Sequence, residues 1–194
     1  MSLSLDERTA LVLIDLQHGV VGLPTVPHTS AEIVHTCGDL AREFRARDLP
    51  VVLVRVSFSA DGADVAPGRT THSASSVQRP DSWDELVDEL DIQPTDIRIT
   101  KRQWGAFYGT DLDLQLRRRK ITGIVLGGIA TSIGVESTAR AAHEHGYHVV
   151  VATDAVADVD LASHEHSTGK IFPRLGLTAT AKEIVAALPA YIPS

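Results

Sequence analysis

The chain holds a single cysteine, Cys37, in 194 residues, so no disulfide can form within it. Positive charge is also in deficit: 18 Lys and Arg stand against 25 Asp and Glu, for a net charge of -7. An acidic surface repels phosphate backbones, so nucleic acid is not an expected partner. No apolar run approaches the roughly 20 residues needed to cross a bilayer. The opening stretch MSLSLDERTA is too polar for a signal peptide. These absences predict no membrane association and a cytoplasmic location. What remains is ordinary for a globular protein: 43% hydrophobic and 22% charged residues, with no internal repeat or composition break. One domain spanning 1–194 is expected, with enough chain to bury a core.

Strand and helix signals alternate. The run 9–16 (TALVLIDL) is short, apolar and ends on a carboxylate, as a strand buried on both faces does. Ser30 can cap a helix whose apolar positions are Ile33, Val34, Cys37, Leu40, Ala41 and Phe44. Further strands are expected at 50–56, 97–101, 121–127, 147–152 and 177–179. Further helices are expected at 83–90, 111–119 (capped by Thr110), 131–145 (closed by Gly146), 163–172 and 181–188. The alternation predicts an α/β fold of three α/β/α layers around a mostly parallel six-stranded sheet. Residues 57–80 are long, polar and without a pattern, which points to a functional segment over the site or at a subunit contact.

In such sheets ligands bind beyond the carboxyl ends of the strands. Three elements fall there. Asp15 closes the first strand in LVLIDLQ; a carboxylate after an apolar strand is either a turn residue or is paired and used. Lys101 closes the third strand in ITKRQWGAF; it is either solvated or, if the strand ends are neighbours, a partner that sets the charge of Asp15. The stretch GGIATSIGVESTARAA passes from strand to helix through small residues. Its backbone N–H groups can cradle an anion or a developing oxyanion, or it is a plain tight turn.

Together these motifs resemble the isochorismatase-like hydrolases, also called cysteine hydrolases, over about residues 9–176. LIDLQ matches the family's catalytic aspartate at Asp15, and KRQWGAFYGTDL its lysine at Lys101. GIATSIGVESTARAA is similar to its strand-to-helix signature, and TDAVADVDLASHEHS to its D-A-x-x-D loop followed by a histidine-bearing helix. The resemblance implies a non-proline cis peptide between Ile129 and Ala130, and an oxyanion hole from the N–H groups of Ala130 and Gly134. It also implies assembly as a homodimer or homotetramer.

The departure from the family pattern is at Gly134. The amidase members carry a cysteine there; glycine has no side chain and cannot form a covalent intermediate. Isochorismatase-type members resemble this chain in carrying glycine. Hydrolysis of a vinyl ether needs a proton donor and no nucleophilic side chain. The expected catalytic set is therefore Asp15 as general acid or base and Lys101 as its electrostatic partner, beside Gly134 at the position of the missing nucleophile. The substrate is then a small molecule such as isochorismate or a related compound. Water activated by Asp15 attacking an amide or ester, and a non-catalytic binding role, are the alternatives. Trp104 and Phe107 either wall the pocket or pack in the core. Arg69, Gln78 and Arg79 are candidate substrate contacts. No cofactor is expected, and no metal, because Asp61 and His72 do not form the D-x-H pair that a metal site in this family uses. The pairs His143/His145 and His164/His166 read as surface residues, with His164 or His166 at a subunit contact. Asp154, Asp158 and Asp160 read as turn residues.

Overall fold

The computed structural model describes residues 3–66, 70–71 and 80–189. Six strands form one sheet in the order β3-β2-β1-β4-β5-β6. They are β1 (Thr9–Ile14), β2 (Val51–Val56), β3 (Ile97–Lys101), β4 (Gly123–Ile129), β5 (His148–Ala157) and β6 (Leu177–Ala179). Every neighbouring pair is parallel. The expectation of a mostly parallel sheet is thus met by a fully parallel one.

Burial of both faces explains the strand sequences. Every residue of β1 and β4 is buried, which is why TALVLI and GIVLGGI read as unbroken apolar runs rather than alternating ones. The edge strand β3 alternates buried and exposed residues instead. The helices are α1 (His18–Val21), α2 (Ser30–Arg45), α3 (Leu112–Arg118), α4 (Glu136–Glu144), α5 (Leu161–His166), α6 (Phe172–Leu175) and α7 (Ala181–Ala187). One core layer lies between the sheet and α3 and α4; the other lies under α2 and α7. Cys37 is wholly buried in the second layer.

Helix ends follow local chemistry, with shifts of one residue. The cap of α2 is Thr29, not Ser30: its hydroxyl accepts from the Glu32 N–H while the Glu32 carboxylate accepts from the Thr29 N–H. Thr110 does receive the Leu112 N–H at the head of α3. Three expectations need correction. Residues 83–90 form turns and one 3-10 turn at Asp88–Leu90, not a continuous helix. The segment 131–145 opens as a π-helical turn at Thr131–Val135 and becomes α-helical only from Glu136. Strand β5 runs on to Ala157, five residues beyond the expected end, because a register shift opposite Leu126 and Gly128 lets it resume pairing with β4.

The shift on the β5 side falls at Gly128, which is paired in register with Ile14 on the β1 side. Gly128 has φ 123°, and a Cβ on it would lie 2.2 Å from the Ile14 carbonyl oxygen. Only glycine fits where β4 crosses the end of β1. After β1 the chain builds β2 and β3 on one side, then crosses back to build β4 on the other. The carboxyl ends of β1 and β4 therefore flank the reversal of strand order, where α/β sheets open a ligand crevice.

Candidate active site

Asp15 follows the last residue of β1 and turns the chain with φ 54°. A left-handed backbone at a non-glycine residue costs about 1–2 kcal/mol, and such conformations persist where the surroundings fix them. Here the Asp15 N–H donates to the Val54 carbonyl at 2.9 Å, and the Gln17 N–H closes a tight turn onto the Asp15 carbonyl at 2.9 Å. Gln17 is fully buried. Its amide donates to the Val56 and Trp83 carbonyls at 3.0 and 3.2 Å, and its oxygen accepts from the Val56 N–H at 2.8 Å. A side-chain amide so ties the end of β1 to the end of β2.

Lys101 ends β3, two strands away from β1. Its ammonium reaches past Val56, with which it pairs in register, and donates to Asp15 Oδ2 at 2.7 Å and to the Gln103 carbonyl at 3.1 Å. Both partners are buried, at 6% and 2% exposure. Asp15 Oδ1 has no hydrogen-bond partner among the described residues. Burial pushes the Asp15 carboxyl up to about 6; the charge and hydrogen bond of Lys101, and then the Val56 N–H, oppose that rise.

The peptide between Ile129 and Ala130 is cis, at the position the family resemblance implies. The Ala130 carbonyl receives the N–H groups of Ile133 and Val135, both at 3.2 Å, which closes the π-helical turn. Gly134 lies on that turn directly against Asp15. A Cβ there would stand 2.8 Å from Ile14 Cγ2, 3.2 Å from Asp15 Oδ2 and 3.6 Å from the Trp104 carbonyl oxygen. The strand end, the lysine loop and the turn therefore meet at one point, and Ile14 crowds the place a Cβ at 134 would take.

One further group holds the turn to the lysine loop: the Thr138 hydroxyl donates to the Gly134 carbonyl at 2.7 Å and accepts from the Ala106 N–H at 3.1 Å. Others hold it to the segment after β5. Asp158 is 1% exposed, and its Oδ2 accepts from the Ser132 N–H at 2.6 Å. His164 is 7% exposed, and its Nδ1 lies 2.9 Å from the Thr131 hydroxyl.

Not every sequence candidate joins this cluster. Trp104 brings its carbonyl to Gly134 but leaves its side chain 66% exposed. Phe107 is in the core, with ring centroids 5.8 Å from Tyr147 and 5.1 Å from His145, at the amino-terminal edge of β5. It lies at the wrong edge of the sheet to wall the crevice. Ile129 is also fully buried and contributes backbone, not a wall. Arg69, His72, Gln78 and Arg79 lie outside the described residues. Asp61 accepts from Ser59 and the Ala63 N–H and organises its own loop. His143, His145 and His166 are exposed as expected, but His164 is not a surface residue. Asp160 and Asp154 do serve turns, receiving the N–H groups of Ser163 at the head of α5 (Leu161–His166) and Ala181 at the head of α7. Asp158 serves a turn as expected, taking the Val159 and Asp160 N–H groups on Oδ1, but its other oxygen holds Ser132; Gln17 and Thr138 have no role in the sequence reading. The available signal was a polar residue set among apolar ones at a strand end. A cavity of about 500 Å³ opens between Thr9, Gly123, His148 and Leu175 at the amino-terminal edge, away from this chemistry.

A family model for the isochorismatase domain matches residues 9–183. The chain belongs to the isochorismatase family, and it is a hydrolase of that family. It is 47% identical over 182 residues to the isochorismatase family protein YecD of Escherichia coli O157:H7, covering 94% of this chain and 97% of that one. It is similar in structure to an isochorismatase family protein of Burkholderia thailandensis, with a TM-score of 0.94 and 48% identity, over 97% of this chain and 99% of that one. A more distant relative is the ureidoacrylate amidohydrolase RutB of Pseudomonas syringae pv. syringae, 30% identical over 171 residues, covering 76% of this chain and 70% of that one. No helix among the described residues is long and apolar enough to cross a membrane.

Proposed function

We propose that the protein hydrolyses a small vinyl ether, such as isochorismate or a related compound, with Asp15 as general acid and base and Lys101 as its electrostatic partner, and with no covalent intermediate. The observation that carries this reading is the buried Asp15–Lys101 contact at 2.7 Å beside a glycine whose Cβ position lies 3.2 Å from the same carboxylate oxygen. The Asp15 proton passes to the terminal methylene carbon, whose double-bond electrons form the new C–H bond and leave an oxocarbenium ion. Water adds to that ion and returns a proton to Asp15. The hemiketal then breaks its other C–O bond, the leaving oxygen takes the hydroxyl proton, and pyruvate and an alcohol depart. A carboxyl held near 6 suits this work, since a proton donor is most effective when its pKa is near the working pH. In this reading the N–H groups of Ala130 and Gly134 bind the carboxylate of the substrate; as oxyanion donors they belong to attack on an amide carbonyl.

A second reading is favoured by the relatives named for amide hydrolysis, RutB and an N-carbamoylsarcosine amidase of Thermoplasma acidophilum. There Asp15 deprotonates water, which attacks an amide carbonyl. The two readings predict opposite pH limbs. A general acid loses rate as pH rises through about 6, whereas a general base gains it. The test is a substrate panel of isochorismate, other enol ethers and ureido or carboxamide compounds, run from pH 5 to 8 with wild type and Asp15→Asn. Pyruvate release with a falling limb supports the first reading, and ammonia release with a rising limb the second. Turnover that survives Asp15→Asn unchanged refutes both. A cytoplasmic location and a homodimer or homotetramer complete the proposal.

A further inference from the structure

The turn 130–135 is held from behind by the segment that follows β5. Asp158 takes the Ser132 N–H, and His164 meets the Thr131 hydroxyl; both residues are buried. Thr131 is itself fully buried. It directly precedes Ser132 and lies three residues before Gly134, so a change at its hydroxyl is passed to the backbone that lies against Asp15. We propose that His164, in its neutral form, is a positioning residue: it fixes Thr131, and through it the N–H groups of the Gly134 turn.

Three features support this. First, the contact uses a ring nitrogen whose role depends on protonation. A neutral Nδ1 accepts the Thr131 hydroxyl proton or donates to its oxygen, whereas the imidazolium only donates. Gaining a proton therefore removes one of the two hydrogen-bond arrangements open to the hydroxyl. Second, charge on the ring would disturb its neighbour. Asp158 at the start of the loop after β5 faces His164 and attracts that charge, as does Glu165 of the same helix; His28, from the loop before α2, repels it. An imidazolium would compete with the Ser132 N–H for the Asp158 carboxylate. Third, burial favours the neutral ring and lowers its proton affinity from the ordinary histidine value. The turn is then locked at neutral pH and loosens in acid.

This inference rests on the proposed part of the turn in catalysis, but its test needs no substrate. The pH dependence of the Ser132 and Gly134 backbone amide shifts is followed by ¹H–¹⁵N NMR from pH 7.5 to 5. The Asp15→Asn protein is used, so that the nearby carboxyl does not titrate. Both amides are expected to move with one midpoint, below the ordinary histidine value and shared with the His164 ring. That titration disappears in His164→Gln. In Thr131→Val the ring still titrates but the Gly134 amide no longer follows, and Thr131→Ser restores the coupling. If the amides do not respond between these limits, or respond equally in His164→Gln, or if the Gly134 amide still follows the ring in Thr131→Val, the inference is overturned. Should His164→Gln not fold, the Thr131 pair decides. A result here leaves the identity of the hydrolysed bond untouched, which the substrate panel decides separately.

Discussion

Placing any side chain at position 134 should destabilise the protein through Ile14. A Cβ there would stand 2.8 Å from Ile14 Cγ2, where carbon atoms in contact rest at about 3.5–4.0 Å. Ile14 cannot retreat easily: it is fully buried in β1, between β2 and β4. Overpacking of this kind costs about 1–3 kcal/mol. Against it stands the gain of about 0.4–1 kcal/mol from replacing glycine at a compatible backbone. Gly134→Ala should therefore lose about 0.5–2 kcal/mol, and Gly134→Cys somewhat more, since its sulfur must also find room beside Asp15 Oδ2. Urea unfolding at pH 7 measures this. Ile14→Leu removes the offending branch methyl at a cost of under about 1.5 kcal/mol by itself. In the double variant the penalty at 134 should shrink by about 1 kcal/mol, a coupling that a double-mutant cycle resolves. A Gly134→Ala protein as stable as wild type, with no coupling to Ile14, would refute the claim that this glycine is sterically required.

Two stability predictions accompany it. Asp15 has a carboxyl raised to about 6 in the folded protein, against about 3.9 when unfolded. Between those values the folded chain keeps a proton that the unfolded chain has lost, so this group's contribution to stability is greatest below pH 4 and declines as pH rises to 6. The stability difference between wild type and Asp15→Asn should fall by roughly 3 kcal/mol between pH 4 and pH 7, at 1.36 kcal/mol per unit; a difference that rises with pH would mean that Lys101, not burial, dominates. Asp96 is buried at 1% side-chain exposure, where it takes two hydrogen bonds from Arg45, at 3.0 and 2.7 Å, and the Gln93 N–H at 2.8 Å. Asp96→Ala strands a largely buried guanidinium and should cost about 3 kcal/mol in urea unfolding, and a loss under 1 kcal/mol would contradict that account.

By itself the sequence determined the architecture and the cast of the site. Doubly buried strands leave unbroken apolar runs, helices leave a 3.6-residue stripe, and a carboxylate or ammonium after such a run is unusual enough to mark a strand end. That logic is local, and it located β1, β3, β6, Asp15, Lys101 and the Gly134 turn. Histidines two residues apart, by the same local logic, read as a surface pair, and an aspartate in a mixed loop reads as a turn.

Only the tertiary structure decided which of these residues meet. Lys101 reaches Asp15 across the end of β2, the strand that lies between theirs. Strand β5 outruns its apolar pattern because a bulge opposite Gly128 restores its pairing with β4. Phe107 belongs to the core, and Asp158 and His164 are held against the turn 130–135, because packing set their depth; no spacing in the chain encodes it. Burial and contact between distant segments are properties of the assembled sheet. The raised carboxyl at Asp15 and the steric need for glycine at 134 depend on both, so neither could be read from residue order alone.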